Sequence, residues 1–383
     1  MVPVDRRCGP ERPERWVGPD AVRVLAMAWL AVGVLLGGCT EDRSPREPPP
    51  IGVSTPAGPE VPTITWSLDT LAMIGSLEGE ESELFGSLTG ASILADGRFL
   101  VMDSQGSRVA LFDEGGEHLS SISSTGEGPG ELQLPTALAV SKNRNIFVMD
   151  RLLGRISRFA LEGNHFEFEE MWPAPSMPQG VCVSDGALWV GVLREGRLAH
   201  RMGEDGTLEE AVGDAPDVPE MRDLGDLGEL LVYPQLVRPV IHCDDGAGLM
   251  ILVSGSHPLV QAYRSSGDRL WSMEMPDFTS FQSRQTETGG VTHSSHPERG
   301  SHFATGVVPW DDEHVLVQYE IRWENGEREP GVDSRLVEVA TGAMVGRSME
   351  LPRILAGRGD RFLIEGSEVF PEVILVERHD WQE

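Results

Sequence analysis

The chain has 383 residues, with 61 acidic and 31 basic side chains and a formal net charge of −30. That length holds one large all-β domain or two ordinary ones, and a field of that sign repels nucleic-acid phosphate and anionic lipid, so neither is an expected partner of the folded body. Aromatic residues are 6% of the chain, too few for a carbohydrate-stacking stripe.

The first segment reads as an export signal. Arg6, Arg7, Arg12, Arg15 and Arg23 precede an apolar run from Val24 to Leu36, and Gly37-Gly38-Cys39 follows. These are the basic, apolar and small-residue regions of a signal peptide in order. The run is shorter than the roughly 20 residues that span a bilayer. Leu36-Gly37-Gly38-Cys39 resembles the bacterial lipobox. The resemblance implies that residues 1–38 are removed, that Cys39 is the lipidated new terminus, and, with Thr40 rather than aspartate next, that the protein goes to the outer membrane. Residues 39–62 then form a tether. Thr40 to Pro62 holds seven prolines and almost no apolar periodicity, so it is expected to be extended, to pack on nothing and to reach roughly 70 Å at about 3.1 Å per residue.

Residues 63–380 read as one domain. Thr63 to Ile74 alternates as a strand, with Ile64, Trp66 and Leu68 on one face, and nothing before it offers a pairing partner. A unit of four short strands follows over 92–123, punctuated by Asp96-Gly97, by Asp103 to Ser107 and by Asp113 to Gly116. Phe99-Leu100-Val101-Met102-Asp103 recurs as Ile146-Phe147-Val148-Met149-Asp150, and the same offset matches Arg108 to Arg155, Phe112 to Phe159 and Gly116 to Gly163. Ungapped repeats of about 40–50 residues built from short strands are the mark of propeller blades. A four-stranded antiparallel sheet cannot bury both of its faces alone, and radial stacking buries them.

Between the two repeats lies Gly126-Glu127-Gly128-Pro129-Gly130-Glu131. It lacks the G-x-G-x-x-G spacing, and no helix follows, so it is a connection rather than a phosphate loop. A third unit starts at Val181-Cys182-Val183, turns at Asp185-Gly186 and is expected to end with an outer strand over Arg197–Met202. An acidic insertion, 203–230, follows, with a short helix expected near 219–231. The fourth unit starts at Val237 and ends near Met275; a polar insertion, 276–301, comes next. The fifth runs from Phe303 to Met349. The sixth has only three strands, over Arg353–Ala356, Arg361–Glu365 and Val369–Glu377. The orphan strand at 63–74 supplies the missing one, which closes the ring and removes two raw sheet edges. The fold class expected is therefore all-β: a six-bladed β-propeller with four-stranded antiparallel blades, closed by the N-terminal strand.

The pair Phe99–Phe112 and Ile146–Phe159 also resembles NHL-repeat six-bladed propellers, whose pattern is an apolar-apolar-x-Asp strand followed by an Arg-φ-x-x-Phe strand ending in glycine. The likeness covers 89–172 well. Beyond 178 the motif aspartate is replaced, as at Gly191, Ser254 and Gln318. The resemblance implies either a non-catalytic binding or interaction module or, as an alternative, a metal-dependent lyase or lactonase with its metal on the ring axis.

The residues themselves favour the module. Neither a G-x-S-x-G nor another nucleophile motif stands out, so no catalytic residue and no cofactor is assigned. Asp103 and Asp150 are expected to accept backbone N–H bonds in the turns that follow them. The strands nearest the axis present Ser92, Thr136, Gln179, Arg238, His242, Thr305 and Arg353, a set with one possible metal ligand and two cations. Arg238, His242, Arg353 and Gln179 are the candidate ligand-binding residues. Both insertions follow outer strands, so both should rise on one face of the ring, beside Arg238 and His242. His293, His296 and His302 are weak metal candidates: an H-x-x-H pair on a polar loop, with no carboxylate in register. The acidic insertion lacks the spacing of a Ca²⁺ loop. Cys182 and Cys243 sit on the first strands of neighbouring units, but their distances to the next Asp-Gly pair differ by one residue. That points them to opposite strand faces, and two buried free thiols are expected. The expected partner is an envelope protein, a peptide or a small ligand, bound by a monomer that sits on the membrane through its lipid anchor.

Overall fold

The computed structural model describes residues 52–382, apart from 59, 123, 220, 222–224, 325–329 and 367–369. Six four-stranded antiparallel sheets are arranged in chain order. Blade 1 spans Leu88–Ile93, Phe99–Asp103, Arg108–Phe112 and His118–Ile122. Blade 2 spans Pro135–Val140, Asn145–Asp150, Arg155–Glu162 and His165–Pro173. Blade 3 spans Gly180–Ser184, Ala187–Arg194, Arg197–Met202 and Leu208–Asp214. Blade 4 spans Pro239–Asp244, Leu249–Ser254, Leu259–Arg264 and Arg269–Glu274. Blade 5 spans Ser301–Pro309, His314–Arg322, Gly331–Glu338 and Met344–Ser348. Blade 6 has Ile354–Arg358, Arg361–Glu365 and Val373–Gln382 from the C-terminal end of the chain, and Thr65–Ile74 as its outermost strand.

Closure follows the sequence expectation. Thr65–Ile74 pairs antiparallel with Val373–Gln382, with Ile74 opposite Val373 and Ala72 opposite Leu375. The register slips between Thr70 and Ala72, where Leu71 is the extra residue. This bulge turns the even-numbered side chains from one side of the blade to the other: Trp66 and Leu68 pack towards blade 5, Ala72 and Ile74 towards blade 1. One strand thereby seals two blade interfaces.

Burial accounts for the ring. The hydrophobic core is split into six clusters, each between two neighbouring blades. In the second strand of blade 1, Leu100 and Met102 face blade 2 while Phe99 and Val101 face blade 6. In blade 2, Ile146 and Val148 face blade 1 and Phe147 and Met149 face blade 3. The inner strands are thus buried on both faces, which is why these strands read as continuous apolar runs rather than as simple alternation.

Three expectations are corrected. Cys182 and Cys243 are joined in a disulfide, with 5.5 Å between their Cα atoms. The one-residue offset did place them on opposite strand faces, but neighbouring blades meet through opposite faces: the forward side of blade 3 lies against the rear side of blade 4. Opposite orientation is what lets the two sulfurs meet. The insertion after blade 3 is also shorter than expected. Leu208–Asp214 pairs with Arg197–Met202 as the true outer strand, so the insertion is 215–238, with its short helical turns over Gly225–Leu236. A strand like Leu208–Asp214, with only Val212 and Gly213 buried, carries too little apolar periodicity to be told from an acidic loop.

The third correction concerns the tether. Ser54 bridges Thr279, Thr55 N donates to Phe278 O at 3.0 Å and Ser280 N donates to Val53 O at 2.7 Å. Further on, Arg347 N donates to Pro62 O at 3.0 Å and Ile64 N to Arg347 O at 2.9 Å. Residues 53–56 therefore lie against the second insertion, and 62–64 against the outer strand of blade 5, before the chain enters blade 6. Prolines suit this course, since they need no N–H partner and hold the chain extended.

Candidate functional site

An antiparallel blade of four strands puts its second-to-third turn, and the link to the next blade, at the same end. All six inter-blade links therefore emerge on one face of the ring, here called the connector face. The motif residues of the repeats anchor these links. Asp103 accepts from Gly86 N and Ser87 N of the link before blade 1 and from Gly106 N of its own turn, at 3.0, 2.8 and 3.0 Å. Asp150 does the same for Gln133, Leu134, Leu152 and Leu153. Arg108 donates to Glu81 O and Leu84 O, and Arg155 to Glu127 O, Gly128 O and Glu131 O. Both aspartates are fully buried. Their role is structural, as expected, and it extends across the link as well as along the turn. Gln318 takes the position over in blade 5, with its amide holding Pro352 O and Ile354 N.

Blade 3 breaks this scheme, and the site lies there. Gly191 occupies the aspartate position, opposite Gly180, and the second strand runs on to Arg194. From the next residue on, the same strand borders a pocket of about 400 Å³ lined by Pro175, Met177, Gln179, Val192, Arg194, Pro234 and Arg238 among others. Its size is that of a small-molecule site. Pro175 to Gln179 come from the link between blades 2 and 3, and Pro234 from the insertion 215–238. The second insertion stands beside the first: Phe281 and Val291 share one cluster with Val218, Met221, Val232 and Leu236. Both insertions are thus on the connector face. So are most of the large apolar side chains left exposed, namely Leu77, Leu84, Leu152, Met177, Leu230, Leu231 and Met349.

The structure brings two of the four expected ligand-binding residues together. Gln179 and Arg238 line the pocket. Gln179 Nε2 donates to Met177 O at 3.1 Å. Arg238 is exposed at the mouth and makes no ion pair or side-chain hydrogen bond among the described residues. The protein around it lowers its pKa, first by withdrawing the guanidinium from water and then through the charges of Arg151 and Arg322. Arg353 stands apart in blade 6 and donates to Glu365 Oε2 at 2.9 Å. His242 is on the strand that Arg238 leads into, four residues further on, about 13 Å at the rise of a strand. Burial holds its pKa down at about 4, against the opposing charge of Asp244. Arg194, Met177 and Pro234 were not singled out in the sequence, and no motif marks them.

The three candidate metal-binding histidines are separated by their partners. His293 Nδ1 lies 2.9 Å from Ser283 Oγ. His296 Nδ1 accepts from Glu298 N and Arg299 N. His302 belongs to a buried ion network in blade 5, with Nε2 3.2 Å from Asp333 Oδ2 and Nδ1 accepting from Thr279 N at 3.0 Å. Asp333 also binds Arg335 Nη2 at 2.7 Å and Arg347 Nε at 2.9 Å. Burial raises the Asp333 carboxyl, but the His302 hydrogen bond and the Arg335 and Arg347 contacts outweigh it and hold it well below the usual carboxylate range. Among the described residues no group of three His, Cys, Asp or Glu side chains is placed to hold a metal ion, and no helix is long and apolar enough to cross a membrane.

Comparison with known proteins agrees with this architecture. Residues 68–186 match the DUF5128 family model, described as a 6-bladed beta-propeller. No curated protein matches the sequence. Among solved structures, a member of the duf4221 family from Bacteroides vulgatus is 8% identical with a TM-score of 0.56, over 85% of this chain and 100% of the other. A putative exported protein from Bacteroides fragilis is 12% identical with a TM-score of 0.54, over 85% and 98%. The chain is a six-bladed β-propeller of four-stranded antiparallel blades. Likeness at this level of identity speaks for the fold alone.

Proposed function

We propose that this propeller is a non-catalytic binding module of the cell envelope, tethered through Cys39, whose ligand enters at the connector face between blades 3 and 4. The observation that carries the reading is the pocket of about 400 Å³ between the link that precedes blade 3 and the insertion that follows it. The rest of the face supports it. Long connections on a rigid scaffold are the usual place for binding residues, and here the first insertion supplies Pro234 to the opening and the second packs against the first. Seven large apolar side chains exposed on that face are in keeping with contact to a ligand or to another protein. The export signal read in residues 1–38 supports the envelope location.

The test is a thermal-shift screen of peptides and small molecules against the full chain and a Gln179→Trp variant, whose indole fills the pocket. Compounds that stabilise the parent and lose their effect in the variant support the reading. Stabilising compounds that are indifferent to Gln179→Trp place binding elsewhere and refute it. Substitutions at the Asp185-Gly186 turn, on the opposite face, should change nothing.

A further inference from the structure

We propose that the pocket between blades 3 and 4 takes a small organic anion, its acid group held by Arg238 and Arg194 and its apolar body by Met177, Val192, Leu193 and Pro234. This rests on the reading of the connector face as the binding mouth. Three observations point to an anion.

The first is charge. The chain carries 61 acidic and 31 basic side chains, yet the pocket is lined by two arginines and no acidic residue. The second is partnership. Elsewhere in the molecule buried or half-buried arginines are committed: Arg108 and Arg155 to link carbonyls, Arg335 and Arg347 to Asp333, Arg378 to Asp360. Arg238 makes no such contact among the described residues, and Arg194 has only Glu195, at 3.5 Å and on the exposed side. A guanidinium partly withdrawn from water without a counter-charge is a cost that a bound carboxylate, sulfonate or phosphate would offset. The third is the field. Arg151 and Arg322 are close enough for their charges to act on Arg238. Arg322 is itself held by Glu320 and over the Phe303 ring; Arg151 has no side-chain ion pair among the described residues. Arginine charge is thus gathered at one opening of a negative protein, an arrangement that favours small anions there.

The remaining walls limit the class. Pro175, Met177, Val192, Leu193, Pro234 and Pro239 are apolar, so a bare inorganic ion would leave most of the pocket unfilled. An acid with an apolar or aromatic body uses both kinds of wall.

The experiment titrates the full chain with 8-anilinonaphthalene-1-sulfonate and with uncharged N-phenyl-1-naphthylamine, which shares the aromatic body and lacks the sulfonate. The sulfonate should bind at one saturable site at least about tenfold more tightly than the neutral probe. Arg238→Gln should remove that preference and leave neutral-probe affinity unchanged; Arg238→Lys should restore part of it. Added salt should weaken the sulfonate alone. Sulfonate affinity that survives Arg238→Gln overturns the proposal. If Gln179→Trp abolishes both probes but the parent never prefers the sulfonate, the mouth stands and the anion assignment falls. If neither probe binds saturably, or neither responds to Gln179→Trp, both fall. Melting curves of each variant confirm that the fold is intact.

Discussion

Cys182 of blade 3 and Cys243 of blade 4 are bonded across the blade interface that carries the pocket, on inner strands that no hydrogen bond joins. The bond closes a loop with a sequence separation of 61 residues. On the chain-entropy view a loop of this length stabilises by about 4 kcal/mol. Cys182→Ala with Cys243→Ala should lower the unfolding free energy by about 2–4 kcal/mol, read from urea melts. Reduction of the parent should have the same effect, and the double variant should not respond to reductant. Titration of free thiols on the folded domain should find neither cysteine reactive.

Ring closure divides the N-terminal stretch into parts of different weight. Removal of residues up to 51 should leave melting nearly unchanged. Removal up to 60 deletes the contacts of Val53 and Thr55 with the segment 275–281, a few hydrogen bonds of about 0.5–1.5 kcal/mol each. Removal up to 75 takes away the outer strand of blade 6 and the side chains Trp66, Leu68 and Ile74, at roughly 1.5–3 kcal/mol for each large side chain. The first truncation should melt with the parent, the second slightly below it, and the third should fail to fold or melt far lower. Equal melting of all three would refute closure by this strand.

Asp333 is the hub of a buried cationic group. Asp333→Ala leaves Arg335, itself fully buried, without its counter-charge, and a loss of about 3–5 kcal/mol is expected. Arg347→Ala removes a half-exposed partner and should cost much less. Urea midpoints of the two variants give the comparison directly.

Acid sensitivity should begin above the carboxylate range. Burial lowers the pKa of His257 and of His242 to about 4, from the 6.5 of an open chain. Between those values the unfolded chain binds more protons than the folded one, so stability rises with pH across this window and is flat above it. His257 Nδ1 accepts from Leu259 N at 3.2 Å, a bond that needs the neutral ring. The urea midpoint should therefore fall as pH drops from about 6.5 to 4. His257→Asn should flatten part of that slope. Asp333, held below its open-chain pKa, adds its own loss as pH falls through the ordinary carboxylate range and below it.

Cys39 and the residues around it lie outside the described part of the structure. Cys39→Ser should move the protein from the detergent-extracted membrane fraction to the soluble periplasmic one. A variant that still sediments with membranes would show that the anchor lies elsewhere.

Much of this protein was legible in its sequence because blades are local objects. The Asp-Gly turns, the apolar runs and the repeat of Phe99–Asp103 at Ile146–Asp150 are set by neighbours a few residues apart. Strand number and the three-stranded deficit at the C-terminal end of the chain follow from them. So does the turn-anchoring role of Asp103 and Asp150. What the tertiary structure alone decided depends on how one blade faces the next. The two cysteines pair because adjacent blades meet through opposite faces, a relation absent from any single strand. The strand Leu208–Asp214 exists because Arg197–Met202 offers it an edge, although its own sequence looks like a loop. Residues 52–58 dock because the segment 275–281 presents unpaired backbone to them. Of the expected ligand residues, Gln179 and Arg238 meet and Arg353 and His242 do not, since nearness to the ring axis fixes neither the blade nor the height along the strand. The pocket walls, Arg194, Met177 and Pro234, come from the second strand of blade 3, the link before that blade and the insertion after it, and only the assembled ring brings them to one opening.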